Sequence, residues 1–294
     1  MKTNLNLPMR PFLKWAGGKR WLVARYGHIL PLSCHRYLEP FVGSGAVFFR
    51  IRPPRAVLAD SNADLIGTYR AIRRDWRAVW RRLREHQRRH CIAYYYQTRG
   101  SRPRSDAGRA ARFIYLNRTC FNGLYRVNRN GEFNVPKGTK RTVVFPDDDF
   151  CAVSAALRRC ELRVSDFEPV LDEAGRGDFV YVDPPYTVRH NNNNFVRYNE
   201  SMFSWQDQVR LAKAMYKAKR RGALIFMSNA NASCIRTLYR GFGAMKEVSR
   251  CSVLAADSAR RRNTTELIVT NIMKVGVEIG LCGKPAKCQS VRST

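Results

Sequence analysis

Residues 179–182, Phe-Val-Tyr-Val, form an unbroken apolar run that stops at Asp183-Pro184-Pro185-Tyr186. A strand apolar on both faces must be covered on both. The run therefore predicts a buried strand of a parallel sheet with helices on either side. GALIFMSN at 222–229 predicts a second strand of this kind. Upstream, RYLEPFVG (36–43) reads as a short strand entering a glycine turn, AVFFRI (46–51) as a helix, and RAVLA (55–59) as a strand ending at Asp60. Strand, turn, helix, strand is the order of a parallel α/β sheet. With 45% hydrophobic residues in 294, such a core can be filled, which excludes a wholly disordered chain.

Between these strands the character changes. Leu65, Tyr69, Ile72, Trp76, Val79, Trp80 and Leu83 recur at helical spacing over residues 64–90. From Arg70 to Arg112 the chain carries fourteen arginines against three acids, a helical segment with a dense basic face. Residues 99–108 read as a loop, 109–120 as a helix, and VNRNGEFNV (127–135) as a hairpin turning at Asn130-Gly131. Residues 204–221 read as a basic helix opened by a cap at Ser204 and Asp207. CSVLAA and ELIVTNIM near the end read as paired strands, and 276–294 as a loose tail.

The net charge of +30 calls for a polyanionic partner, nucleic acid before acidic membrane. No run of eighteen apolar residues, secretory leader or basic amphipathic anchor supports a membrane role. Nine cysteines, an odd count without a C-x-x-C pair, suggest a reducing, cytoplasmic setting with neither a disulfide framework nor a zinc site. The five histidines show no metal-ligand spacing.

Three motifs carry chemistry. In Glu39-Pro-Phe41-Val-Gly43-Ser-Gly45 a glycine pair lets backbone approach a nucleoside cofactor closely, and Asp60 can bind a ribose hydroxyl. Phe48 occupies the position of a dinucleotide fold's third glycine, which disfavours NAD and favours S-adenosylmethionine. In Asp183-Pro184-Pro185-Tyr186 a carboxylate and a proline carbonyl can accept from the exocyclic amine of a base while Tyr186 stacks on its ring. In Phe12-Leu-Lys14-Trp15-Ala-Gly-Gly-Lys19, Trp15 can flank an adenine and Lys19 enters a helix, without the spacing of a nucleotide-triphosphate loop.

These motifs, with the 59–66 stretch and YLNRTCFNGLYRVNRNGEFNVPKG (115–138), resemble the Dam-type (D12 class) DNA adenine-N6 methyltransferases over roughly residues 10–273. The resemblance implies a Rossmann-like, S-adenosylmethionine-dependent methyltransferase core (1–64 and 141–275). It implies a mainly helical target-recognition insert (65–140) bearing the hairpin. Trp15, Lys19, Asp60 and Asp183 match cofactor-binding positions, to which the glycine turn adds Glu39, Phe41, Gly43 and Gly45. Asp183, Pro184, Pro185 and Tyr186 match the catalytic tetrapeptide. Asn122, Leu124, Arg126, Asn134 and Pro136 match the recognition hairpin, joined by Lys14, Asn128 and Arg129 as DNA contacts. The family's common target is GATC in duplex DNA, and no obligatory protein partner is implied. Three other readings compete: an RNA or protein-glutamine methyltransferase, a catalytically dead DNA-binding protein, and a dinucleotide oxidoreductase.

Overall fold

The computed structural model describes residues 9–31, 33–128, 130–187, 203–251 and 263–272. Among these residues seven strands form one sheet in the order β3-β2-β1-β4-β5-β7-β6. They are β1 (Arg36–Glu39), β2 (Ala56–Asp60), β3 (Cys160–Val164), β4 (Asp178–Val182), β5 (Leu224–Ala230), β6 (Ala244–Cys251) and β7 (Asn263–Thr270). The first five run parallel, and β7 lies antiparallel between β5 and β6. Apolar clusters on the two faces bury Tyr37, Leu58, Phe179 and Tyr181 on one and Leu38, Val57, Val180 and Val182 on the other. That two-sided burial is why residues 179–182 of β4 are apolar. No helix of the described residues is long and apolar enough to cross a membrane.

The connections are helical: α1 (Arg20–Tyr26), α2 (Ala46–Ile51), α3 (Ala63–Arg89), α4 (Ile92–Gly100), α5 (Asp106–Thr119), α6 (Phe150–Leu157), α7 (Phe167–Asp172), α8 (Trp205–Arg220) and α9 (Ser233–Leu238). Helix α8 starts in the expected capping box, Ser204 and Asp207 each satisfying the other's backbone N–H. Helix α3 begins at an Asn62 cap and breaks at Asp75, where φ is −152° and ψ 80°. The helices of 65–140 share one apolar cluster with the sheet: Ile114 and Val135 belong with Phe12 and Leu58.

Sequence and structure part at several points. The strand paired with ELIVT is 244–251, ahead of CSVLAA, whose residues beyond Cys251 lie outside the described set. Arg129 and the 276–294 tail also lie outside it. Not every arginine of 70–112 faces outward. Arg70 and Arg73 donate to the carbonyls of Leu162 (2.7 Å) and Cys160 (2.8 Å), capping the edge strand β3. Unpaired carbonyls on an edge strand invite foreign strands, and these guanidinia occupy them.

Candidate active site

Strand β1 lies between β2 and β4, so the sheet order reverses there and the carboxyl ends of β1 and β4 open side by side. In an open α/β sheet a ligand sits in that crevice. Beyond β1 the chain turns on Gly43 (φ +46°) and Gly45 (φ +65°) into α2. A Cβ at Gly43 would lie 2.7 Å from Trp15 Cδ1, so the indole rests directly on this turn. Asp60, ending β2, clamps the turn from the other side: Oδ2 accepts from Gly43 N (3.1 Å) and Oδ1 from Asn62 N (3.0 Å). Tyr69 of α3 donates to the Gly43 carbonyl at 3.0 Å. Below the turn the buried Glu39 accepts from Tyr37 OH at 2.9 Å. Burial raises its pKa well above the usual carboxylate range. Phe41 stacks on Phe167 at 5.5 Å, away from the polar residues.

At the end of β4, Asp183 joins a buried polar chain. Lys19, 3% exposed, places Nζ 2.7 Å from Asp183 Oδ1, 2.7 Å from the Gly17 carbonyl and 3.8 Å from Glu266 Oε2. Ser228 Oγ donates to the same Asp183 oxygen at 3.0 Å and meets Tyr181 OH at 3.1 Å. The register explains this: Asp183 lies one step past the Val182↔Met227 pair, opposite Ser228. Lys19 also sits 5.0 Å from the centre of the Tyr186 ring. Burial pushes Asp183 up to about 6 against the pull of Lys19, and burial likewise pushes Asp60 up to about 6, against its two backbone hydrogen bonds. Perturbed carboxylates converging on a crevice mark a functional site.

The structure thus brings together Trp15, Lys19, Glu39, Gly43, Gly45, Asp60, Asp183 and Tyr186 around adjacent strand ends; Pro184 and Pro185 follow directly. Ser228 and Glu266 were not read from sequence. Their signal is weak: a hydroxyl beside Asn229 at the end of β5 and an acid following the polar 263–265 start of β7.

Residues 120–128 and 130–137 form the two arms of a narrow hairpin with bridges Val127↔Phe133 and Cys120↔Lys137. Gly131 takes the left-handed position (φ +74°), and Asn128 Oδ1 accepts from Asn130 N and Glu132 N, stapling the tip. Arg126 is exposed, its Nε donating to Asn134 Oδ1 at 2.8 Å. Pro136 O accepts from Phe121 N, and half-buried Leu124 from its own N–H bonds the Phe121 carbonyl. Asn122 holds an unusual positive φ of 54° beside Gly123.

Hairpin and crevice are joined rather than separate. Trp15 stacks on Tyr125, ring centres 5.7 Å apart, and on Phe113 at 6.2 Å. Asn117 of α5, 1% exposed, accepts from Lys14 N (2.8 Å) and donates to Lys14 O (2.5 Å) and Gly123 O (3.3 Å). Arg118 beside it is buried, donates to Phe12 O and Val143 O, and makes a two-pronged ion pair with Asp148. In sequence both look like polar residues on a basic helix. Apart from Gly123, six residues on, their partners lie 25–106 residues away, and no local pattern reveals such contacts.

The strand order, the antiparallel β7 and the crevice at the reversal define a Rossmann-like methyltransferase fold. The chain belongs to the D12 class N6 adenine-specific DNA methyltransferase family, whose sequence model matches residues 15–253. It is 37% identical to a type II methyltransferase of Lactococcus lactis subsp. cremoris over 280 residues, covering 92% of this chain and 97% of that one. It is 33% identical to a DNA adenine methylase of Vibrio cholerae over 267 residues, covering 88% and 95%. A DNA N-6-adenine-methyltransferase of Escherichia phage P1 is 37% identical over 238 residues, 80% of this chain and 31% of that protein. The protein is an adenine-specific DNA methyltransferase.

Proposed function

We propose that this enzyme uses S-adenosylmethionine and methylates adenine N6 within GATC after the base has left the duplex. The observation that carries this reading is the buried Lys19–Asp183–Ser228 chain beside the glycine turn closed by Trp15 and Asp60. The fit to the cofactor rests on that geometry. At Gly43 there is no room for a side chain, so backbone can lie close to a nucleoside, and Asp60 offers a carboxylate at the end of the neighbouring strand. Trp15, Lys19, Asp60 and Asp183 would hold it, with Glu39, Gly43 and Gly45 shaping the floor and Phe41 supporting it.

When bound, S-adenosylmethionine supplies an electrophilic methyl group on a sulfonium. The residues prepare the acceptor. Adenine N6 is conjugated into its ring and is a poor nucleophile. Asp183 Oδ1 is already engaged by Lys19 and Ser228, so Oδ2 is the oxygen left to accept from N6, with the Pro184 carbonyl as second acceptor. Two acceptors on one amine favour a pyramidal nitrogen whose lone pair points at the methyl carbon. Preorganised acceptors also stabilise positive charge growing on N6. Tyr186, set by Lys19 against its ring, offers the stacking face for the extruded base.

For readout, a two-stranded ribbon fits the major groove. Arg126 would read guanine, and Lys14, Asn122, Leu124, Asn128, Arg129, Asn134 and Pro136 would surround the site. Residues 65–140 would be the target-recognition insert. The test is transfer of tritiated methyl to unmethylated duplex DNA with mapping of the modified base. Label in N6-methyladenine at GATC is expected. Label at an unrelated sequence would overturn the target, and label in RNA alone the substrate.

A further inference from the structure

Beyond the break at Asp75, α3 presents Arg77, Arg81, Arg84 and Arg88 to solvent, while Val79 and Leu83 on the other side are fully buried. At 3.6 residues per turn, steps of four, three and four place these four guanidinia within an arc of about 60° and along roughly 16 Å of helix. None makes an ion pair or side-chain hydrogen bond with another described residue, although Arg77 lies 4.7 Å from the Trp76 ring. Arginines that serve the fold behave otherwise in this chain. Arg70 and Arg73 cap β3, and Arg112 donates to the Thr98 carbonyl at 2.9 Å. Four aligned, unneutralised cations on a solvent face are repulsive unless an extended anion lies along them.

The stripe also leads somewhere. At the end of α3, Gln87 Nε2 donates to the Arg141 carbonyl (3.3 Å), and His90 lies in the positive field of Lys137 and Arg141. Lys140 in the same segment acts with Arg20 and Arg118 on Lys14, whose pKa is lowered first by burial and then by those charges. Positive charge therefore runs from Lys14, beside Trp15, through 137–141 to Arg88 and along the helix.

We infer that the arginine stripe of α3 binds the phosphate backbone of duplex DNA flanking the methylated site, on one side of it only. The partner is the substrate duplex itself, and the inference rests on the enzyme's action on DNA, not on the GATC assignment. About 16 Å of duplex axis presents roughly five phosphates per strand, enough for one contact per arginine. Such contacts fix register and add affinity without reading bases.

The test replaces all four: Arg77→Gln, Arg81→Gln, Arg84→Gln and Arg88→Gln. Binding is measured against salt on duplexes carrying the site mapped for the wild-type enzyme, hemimethylated so that one orientation is productive. One duplex spans about one helical turn, and two others extend it by about three turns upstream or downstream. On one of the extended duplexes, the variant's slope of log affinity against log salt should be shallower by about 3–4 units. On the short duplex and the other extension it should match wild type, as should the methylation rate at saturating DNA. Arg→Lys at all four positions should restore the slope. Unchanged slopes on every duplex, as expected if the stripe serves an acidic protein or RNA, would overturn the inference. So would equal loss on the short duplex, or failure of the lysine variant to restore binding in a protein of unchanged melting temperature. The wild-type rate on the short duplex reports the catalytic reading separately.

Discussion

Lys19 Nζ and Asp183 Oδ1 lie 2.7 Å apart in an interior where the lysine is almost fully enclosed, so each is the other's principal counter-charge. Removing one partner of a buried pair leaves an uncompensated charge. Burial already lifts Asp183 to about 6 with Lys19 in place. Lys19→Met should move it higher. The carboxylate is the accepting form, so kcat/KM should fall as pH drops through about 6 in the wild type. In Lys19→Met the acid limb should lie at higher pH. Stability carries the opposite sign. A raised pKa means the folded state holds this proton more tightly than the unfolded chain, so the contribution from Asp183 is full at low pH and fades as pH rises towards 6. A wild-type limb near 4 would show that the carboxylate is not desolvated in the working enzyme.

Asp183→Asn distinguishes charge from shape. Its amide has one acceptor oxygen. Facing Lys19 and Ser228, that oxygen leaves an NH₂ towards the adenine amine, donor against donor. Facing the base, it turns the NH₂ onto Lys19. Both orientations lose an acceptor, so a drop in kcat of about 10²–10³ is expected, equivalent to about 2.7–4 kcal/mol. Single-turnover methylation at saturating DNA measures it. Near-wild-type activity would mean that one acceptor suffices.

Gly43→Ala should weaken cofactor binding selectively. The new Cβ would meet Trp15 Cδ1 at 2.7 Å, and the φ of +46° is unfavourable for a residue with a Cβ. The indole would have to leave the turn. A rise in cofactor Kd of about tenfold or more, about 1.4 kcal/mol, is expected by calorimetry. Duplex affinity should fall by less: Trp15 also stacks on Tyr125 of the hairpin, but the hairpin tip is stapled by its own Asn128.

The sheet's central strands, the glycine turn, the hairpin and α8 were legible because each is written locally, as an apolar run, a glycine pair, Asn-Gly or a capping box. β3 was not: Cys-Glu-Leu-Arg-Val alternates as a half-buried edge strand does, but five residues with only Cys160 and Leu162 buried make too short a pattern to stand out. Nor was α4, whose Ile92 and consecutive tyrosines favour strand, yet which is a helix capped by Cys91. Within the site, Asp183 and Lys19 stand in recognisable motifs. Ser228 and Glu266 reach them only through strand register, which no single segment encodes.

Asn117→Leu tests the joint between hairpin and crevice. The substitution leaves the half-buried Lys14 N–H and carbonyl without their partner. An orphaned buried group costs about 1–3 kcal/mol, so a loss of about 2–4 kcal/mol is expected in urea denaturation. The displaced Lys14–Trp15 segment should also raise the cofactor Kd. Full stability would mean that water replaces the amide.

Arg126 carries the sharpest prediction about specificity. Its Nε is held by Asn134 Oδ1 at 2.8 Å, and its two terminal nitrogens take no bond from another described residue. A guanidinium fixed at its inner nitrogen presents that terminal pair as a fork, which suits guanine O6 and N7. Under the proposed target, Arg126→Ala should lose about 1–3 kcal/mol of discrimination at one guanine position and leave methylation of sites already altered there nearly unchanged. Asn134→Ala, which frees the fork without removing it, should lose part of that discrimination and keep the charge. A phosphate contact predicts something else: uniform weakening across all sites and a salt slope reduced by about one unit. Methylation rates on GATC and on each singly substituted site, for wild type and both variants, separate the outcomes. Uniform weakening would remove Arg126 from base readout, and equal effects of the two substitutions would mean that Asn134 does more than aim the arginine.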